Sequence, residues 1–85
     1  MSAKSREFLS FSKFLLRSKS LNLYRDILRT IKKIPNKEHR IELKQWVRED
    51  FEHNKHLRDE DNIRYQLTRG KAFHEELITS LSLVK

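Results

Sequence analysis

An all-α protein of three helices is what this sequence predicts, and three observations predict it. One glycine and one proline in 85 residues leave almost nothing for tight turns, which sets aside an all-β fold built of hairpins. Apolar side chains recur at helical spacing over three long stretches. Only two breaks interrupt them, one at Ile34-Pro35-Asn36 and a weaker one at His56-Leu57-Arg58-Asp59. A chain of this length hides only about 60–65% of its unfolded surface. Its core is therefore thin, and such proteins often gain stability from a partner or ligand.

The first helix is expected from Ser10 or Ser12 to Lys33. Phe14, Leu21, Tyr24, Leu28 and Ile31 step by 7, 3, 4 and 3, with Ile27 flanking the stripe. Lys32 and Lys33 close it, where cations suit the helix dipole. Pro35 ends this segment and Asn36 can cap the next. The second helix is expected over Lys37–Asn54, with Leu43, Val47 and Phe51 repeating every four residues and Trp46 beside them. Asp59 is a candidate cap for the third helix, with Glu60 and Asp61 in the first turn, where acids are favoured. That helix is expected over Glu60–Leu83, its stripe being Ile63, Leu67, Gly70, His74, Leu77, Leu81 and Val84. Short loops between three amphipathic helices give an up-down-up bundle. The middle of the third stripe is anomalous. A mid-helix glycine costs about 1 kcal/mol against alanine. Two readings fit Gly70: close packing against a large neighbour such as Phe51 or Phe73, or room left for a ligand.

Charge is distributed unevenly. Of 19 basic and 12 acidic side chains, residues 1–36 hold nine basic and two acidic, so the whole excess of +7 lies there. That half suits docking to something acidic, with nucleic acid, an anionic membrane and an acidic protein all compatible. The first twenty residues combine Ser, Lys and Arg with Phe and Leu at helical intervals and a single acid, Glu7. Such a segment suits a mitochondrial targeting helix, and equally the start of the first helix. Residues 1–12 are set apart as this basic segment and residues 13–85 as the helical domain.

Several chemistries are excluded or weak. No cysteine is present, so there is no disulfide, zinc ribbon or thiol nucleophile. No apolar run approaches the roughly 18–20 residues of a membrane span. His53-x-x-His56 lacks a third ligand nearby. Asp59-Glu60-Asp61 reads as a charged first turn. Glu75 and Glu76 point to different sides of a helix and cannot act as a carboxylate pair. Gly70 stands alone, which excludes a phosphate-cradling glycine loop. The chain is expected not to be an enzyme.

The stretch Leu21-x-Leu23-Tyr24-Arg25-x-Ile27-Leu28-Arg29 is the most informative motif. It is followed by Ile34-Pro35-Asn36, by Leu43-Lys44-x-Trp46-x-Arg48-Glu49-Asp50-Phe51, by Asn54-Lys55 and by a third helix opening with acids. Together these resemble the LYR-motif family of small mitochondrial proteins, from about Phe14 to Leu83. The resemblance implies an all-α, three-helix up-down-up bundle with an interhelical hydrophobic tunnel, working in the mitochondrial matrix. It implies a mitochondrial acyl carrier protein as partner and no cofactor of the chain's own. The carrier would insert its acyl-4′-phosphopantetheine between the helices, and the pair would serve assembly intermediates of respiratory complex I. Another respiratory complex or iron–sulfur cluster biogenesis is the alternative within the family.

By match to the family pattern, Arg17, Tyr24, Arg25 and Lys55 are expected at the carrier. Arg forks onto carboxylate or phosphate and Lys supplies a point charge. Leu21, Tyr24, Leu28, Val47, Phe51, Ile63, Leu67 and Gly70 are expected to line the acyl path, with His74 a polar interruption. A basic helix-turn-helix module is the remote alternative. It is weakened by the equal acids and bases in the second and third helices and by the lack of a glycine turn. A peripheral membrane helix at the N-terminus is a further one.

Overall fold

The structure, a computed structural model, describes the backbone of residues 3–57 and 59–83 and the side chains of residues 11–57 and 59–83. Three helices follow one another: α1 (Ala3–Ile31), α2 (Lys37–Asn54) and α3 (Glu60–Leu83). They form the expected all-α three-helix bundle.

Both predicted breaks hold. The Asn36 side chain caps α2 by accepting a hydrogen bond from the His39 amide at 3.0 Å. Asp59 Oδ1 accepts from the Asp61 amide at 3.2 Å at the start of α3. The position of α1 differs from expectation in one respect. It begins at Ala3 rather than at Ser10 or Ser12, because no glycine or proline lies between residues 3 and 12 and the penalty for a serine inside a helix, about 0.5 kcal/mol, is too small to stop one. The helix thus runs through the expected boundary at residue 12. Val84 lies outside the described residues.

Two clusters make the core. Leu16, Ile63 and Leu67 join α1 to α3, with Leu23 and Leu57 packed against them. Ile27, Ile31 and Val47 join α1 to α2, with Leu28, Leu43, Phe73 and Leu77 among their neighbours. Helix α1 is therefore the shared support. It packs on both other helices, while α2 and α3 meet each other far less. The inward arc of α1 also corrects the expected stripe. Leu16, Leu23, Ile27, Thr30 and Ile31 point inward, whereas Phe14 and Leu21 are exposed. Both arcs have helical spacing, but the outer one carries Arg25 and Lys32 and the inner one carries no charge. Burial selects the uncharged arc.

The His74 anomaly has a local explanation. Thr30 is a buried polar residue. Its hydroxyl donates to the Asp26 carbonyl at 3.0 Å, and His74 Nε2 lies 2.9 Å from the same oxygen. With the hydroxyl proton directed at Asp26, the imidazole N–H is the donor. This bond joins α1 to α3 and satisfies both groups.

Candidate functional site

A cleft of about 140 Å³ opens between the three helices. From α1 it is lined by Arg17, Ser20, Leu23, Tyr24 and Ile27. Helix α2 and the loop after it supply Val47, Asp50, Phe51, Asn54, Lys55 and Leu57, and α3 supplies Ile63, Gln66, Leu67 and Gly70. The cleft exists because α2 and α3 lean on α1 without closing on each other. Among the described residues, a hydrogen bond and an aromatic contact bridge their seam. Asn54 Nδ2 donates to Gln66 Oε1 at 3.3 Å near one end. Near the other, the Trp46 and Phe73 rings meet at 5.3 Å in a tilted arrangement.

One wall is aromatic. Tyr24 and Phe51 stack with ring centroids 4.3 Å apart and planes 13° apart, which ties α1 to α2 beside the cleft. The opposite wall is notched at Gly70. A β-carbon there would sit 2.8 Å from Leu23 Cδ2. Gly70 therefore lets Leu23 of α1 approach α3 closely. Leu23, and neither Phe51 nor Phe73, fills the notch. Leu23 and Gly70 both line the cleft, so the notch and the side chain that fills it lie together in its wall.

The mouth is polar. Arg17 spans it, donating to the carbonyls of Lys55 at 3.0 Å and Leu57 at 2.8 Å. These carbonyls belong to the chain leaving α2, so the guanidinium fastens the α2–α3 loop onto α1. Lys55 Nζ is 3.2 Å from Glu52 Oε2, an exposed pair that leaves the ammonium mobile. Among the described residues, no group of three or more His, Cys, Asp or Glu side chains is placed to hold a metal ion. No described helix is long and apolar enough to cross a membrane.

Most of the residues expected from the sequence come together here. Arg17, Tyr24 and Lys55 line the cleft with Val47, Phe51, Ile63, Leu67 and Gly70. Three expected residues lie elsewhere. Leu21 and Arg25 are exposed on the outer side of α1. Leu28 packs beside Ile27, Ile31 and Val47 without reaching the cleft. The sequence reading missed Leu23, Leu57 and the polar set Ser20, Asp50, Asn54 and Gln66. The uncharged run Leu16, Ser20, Leu23, Ile27 and Ile31, stepping by 4, 3, 4 and 4, is the signal that marks the α1 contribution.

Residues 18–76 match the family described as Complex 1 protein (LYR family). That span holds every cleft residue except Arg17. The chain is 43% identical over 77 residues to LYR motif-containing protein 2 of Homo sapiens, covering 91% of this chain and 88% of the relative. It is 43% identical over 75 residues to the Danio rerio protein of that name, covering 88% and 85%. Identity to the Salmo salar protein is 39% over 75 residues, covering 88% and 83%. No solved structure matches the chain.

Proposed function

The chain belongs to the Complex 1 protein (LYR) family, and from that membership we propose that it is a mitochondrial matrix adaptor for an acylated acyl carrier protein. In this reading the carrier docks at the mouth formed by Arg17, Tyr24 and Lys55, with Arg25 on the adjoining surface. Its acyl chain enters the cleft between the three helices. The pair then acts on assembly intermediates of respiratory complex I. The chain supplies binding and no catalysis.

The observation that carries this reading is the apolar cleft with two cations at its mouth, all of its lining but Arg17 falling inside the stretch that matches the family. An acidic carrier with a phosphodiester-linked arm complements the +7 concentrated in residues 1–36. Each buried methylene contributes roughly 0.8 kcal/mol, so eight would contribute about 6 kcal/mol before ordering costs. A cleft of about 140 Å³ is close to the engineered cavity of about 150 Å³ that accepts benzene. A longer chain therefore requires α2 and α3 to part. Their seam allows it, because the Asn54–Gln66 bond is a part-exposed side-chain contact and costs little to exchange for water.

Intact-mass measurement of the protein purified from mitochondria with its partners tests the reading. A carrier bearing phosphopantetheine plus a fatty acyl mass is the expected companion. Recovery with no carrier, under conditions that preserve other matrix complexes, would overturn it. Depletion of the protein is expected to stall complex I assembly. A stall confined to another complex would move it to the alternative role within the family.

A further inference from the structure

A second surface lies on the side of α1 turned away from both other helices. Phe11 is 58% exposed, Phe14 63%, Leu15 44% and Leu21 37%. Their positions share one side of the helix with exposed Arg25, Arg29 and Lys32, since 11, 14, 21, 25 and 32 step by 3, 7, 4 and 7. This side combines bulky apolar groups toward the N-terminal half with cations toward the C-terminal half. The only acid on α1 from residue 11 onward is Asp26, and Arg29 neutralises it at 3.3 Å.

We infer that this outer face of α1 lies flat on an anionic phospholipid bilayer, with Phe11, Phe14, Leu15 and Leu21 in the interface and the basic residues on the headgroups. Bulky apolar side chains exposed together in a small soluble fold mark an interaction site. Among acidic surfaces, the bilayer suits this one by shape. The face is the convex side of a single helix, its apolar groups interleaved with Ser18 and Asn22, and none of Phe11, Phe14, Leu15, Leu21, Arg25 and Lys32 lines either of the two clefts found between the helices, while Arg29 borders the one between α1 and α3. A fluid interface needs no matching relief, and the apolar-plus-cationic arc is what interfacial helices present. Helix α1 cannot cross the membrane, so the contact is along its length. Arg17, Tyr24, Lys55 and the cleft are turned elsewhere, so of the proposed carrier contacts only Arg25 is shared with this face. The inference does not depend on the carrier reading.

Co-sedimentation of the full chain with vesicles tests it. Phosphatidylcholine vesicles with about one-third phosphatidylglycerol are compared with pure phosphatidylcholine. Binding is expected to the anionic vesicles only, and to fall at least about tenfold between about 0.05 M and about 0.5 M salt. Phe11→Ser with Phe14→Ser is expected to reduce it at least about tenfold with helicity unchanged, since both rings are already in solvent. Arg29→Gln with Lys32→Gln is expected to weaken it similarly. Free inorganic phosphate at the same concentration as the lipid phosphate is expected not to compete. Competition by phosphate would assign the cations to an anion and overturn the lipid assignment. Absence of vesicle binding by a helical, monomeric chain would also overturn it and return the face to a protein partner. Binding that ignores the phenylalanine substitutions would remove the apolar part of the proposal.

Discussion

Glu60 connects two helices through one carboxylate oxygen. Its Oε1 accepts from Arg64 at 2.6 Å within α3 and from the Ser12 hydroxyl of α1 at 2.9 Å. The Arg64 bond, and then the Ser12 bond, hold its pKa below the ordinary 4.5. The fold favours the ionised form, so this contribution is complete above the ordinary value and disappears as pH falls through the lower folded value. Thermal melts of wild type and Glu60→Gln should therefore differ slightly at neutral pH and converge well below pH 4.5. A gap that persists in acid would assign the effect to something other than the charge. At Thr30 the expectation is larger. Thr30→Val strands the His74 N–H and should cost about 1–3 kcal/mol in denaturant unfolding. Adding His74→Leu should recover part of the loss, and strict additivity of the two substitutions would deny the bond any coupling. Gly70→Leu carries the test of the notch. The new side chain displaces Leu23 into the cleft, so long-chain acylated carrier should bind about tenfold more weakly, the worth of one to two methylenes. Unacylated carrier should bind as before, and equal loss for both forms would mean that docking, rather than acyl space, was damaged.

At the scale of elements, two arginines hold the loops. Arg40 of α2 donates to the carbonyls of Ile34 at 2.7 Å and Pro35 at 3.2 Å, and Arg17 of α1 does the same for Lys55 and Leu57. Both satisfy carbonyls that no helical ladder pairs, Arg40 through a single Nη1 and Arg17 through both of its Nη atoms. Arg17→Ala should cost about 1 kcal/mol. It should also speed amide exchange around residues 55–57 more than in α1, which hydrogen-exchange mass spectrometry would show. Uniform acceleration across the bundle would argue against a local role. These contacts also mark what the sequence concealed. Asn36 and Asp59 announced α2 and α3 because capping is local chemistry, readable within four residues. The stripes of α2 and α3 were legible for the same reason. The α1 stripe was not, since Phe14 and Leu21 satisfy helical spacing as well as Leu16 and Leu23 do, and only the packing partners decide between them. Val47, Phe51, Ile63 and Leu67 were identified from their stripes and the family pattern, while Asn54 and Gln66 meet across 12 residues of sequence through a pairing no local pattern records. Arg17 was legible as a cation at the site, but its grip on two backbone carbonyls belongs to the tertiary fold.

The whole molecule measures 56 × 21 × 16 Å with a radius of gyration of 15.6 Å. A compact domain of this length would have a radius near 12 Å. The surplus reflects the 29 residues of α1, longer than either helix it supports. Under the proposed reading its cations act at a distance on an acidic carrier, so association should slow steeply with salt while dissociation, governed by the acyl chain, changes little. Arg25→Ala with Lys55→Ala should lower the association rate several-fold at low ionic strength with helicity intact. Stopped-flow traces indistinguishable from wild type would remove these two residues from the docking field. The sparse seam between α2 and α3 reaches further than binding. They are two pages sewn to one spine, and what is laid between them supplies the interior they do not give each other. Under the proposed reading, cargo at a hundredfold excess over its dissociation constant adds about 2.7 kcal/mol to the folded state. A cell short of newly made fatty acids would then hold the chain mostly with its pages loose, where proteases cut first, and its abundance would follow lipid synthesis with no dedicated sensor in between.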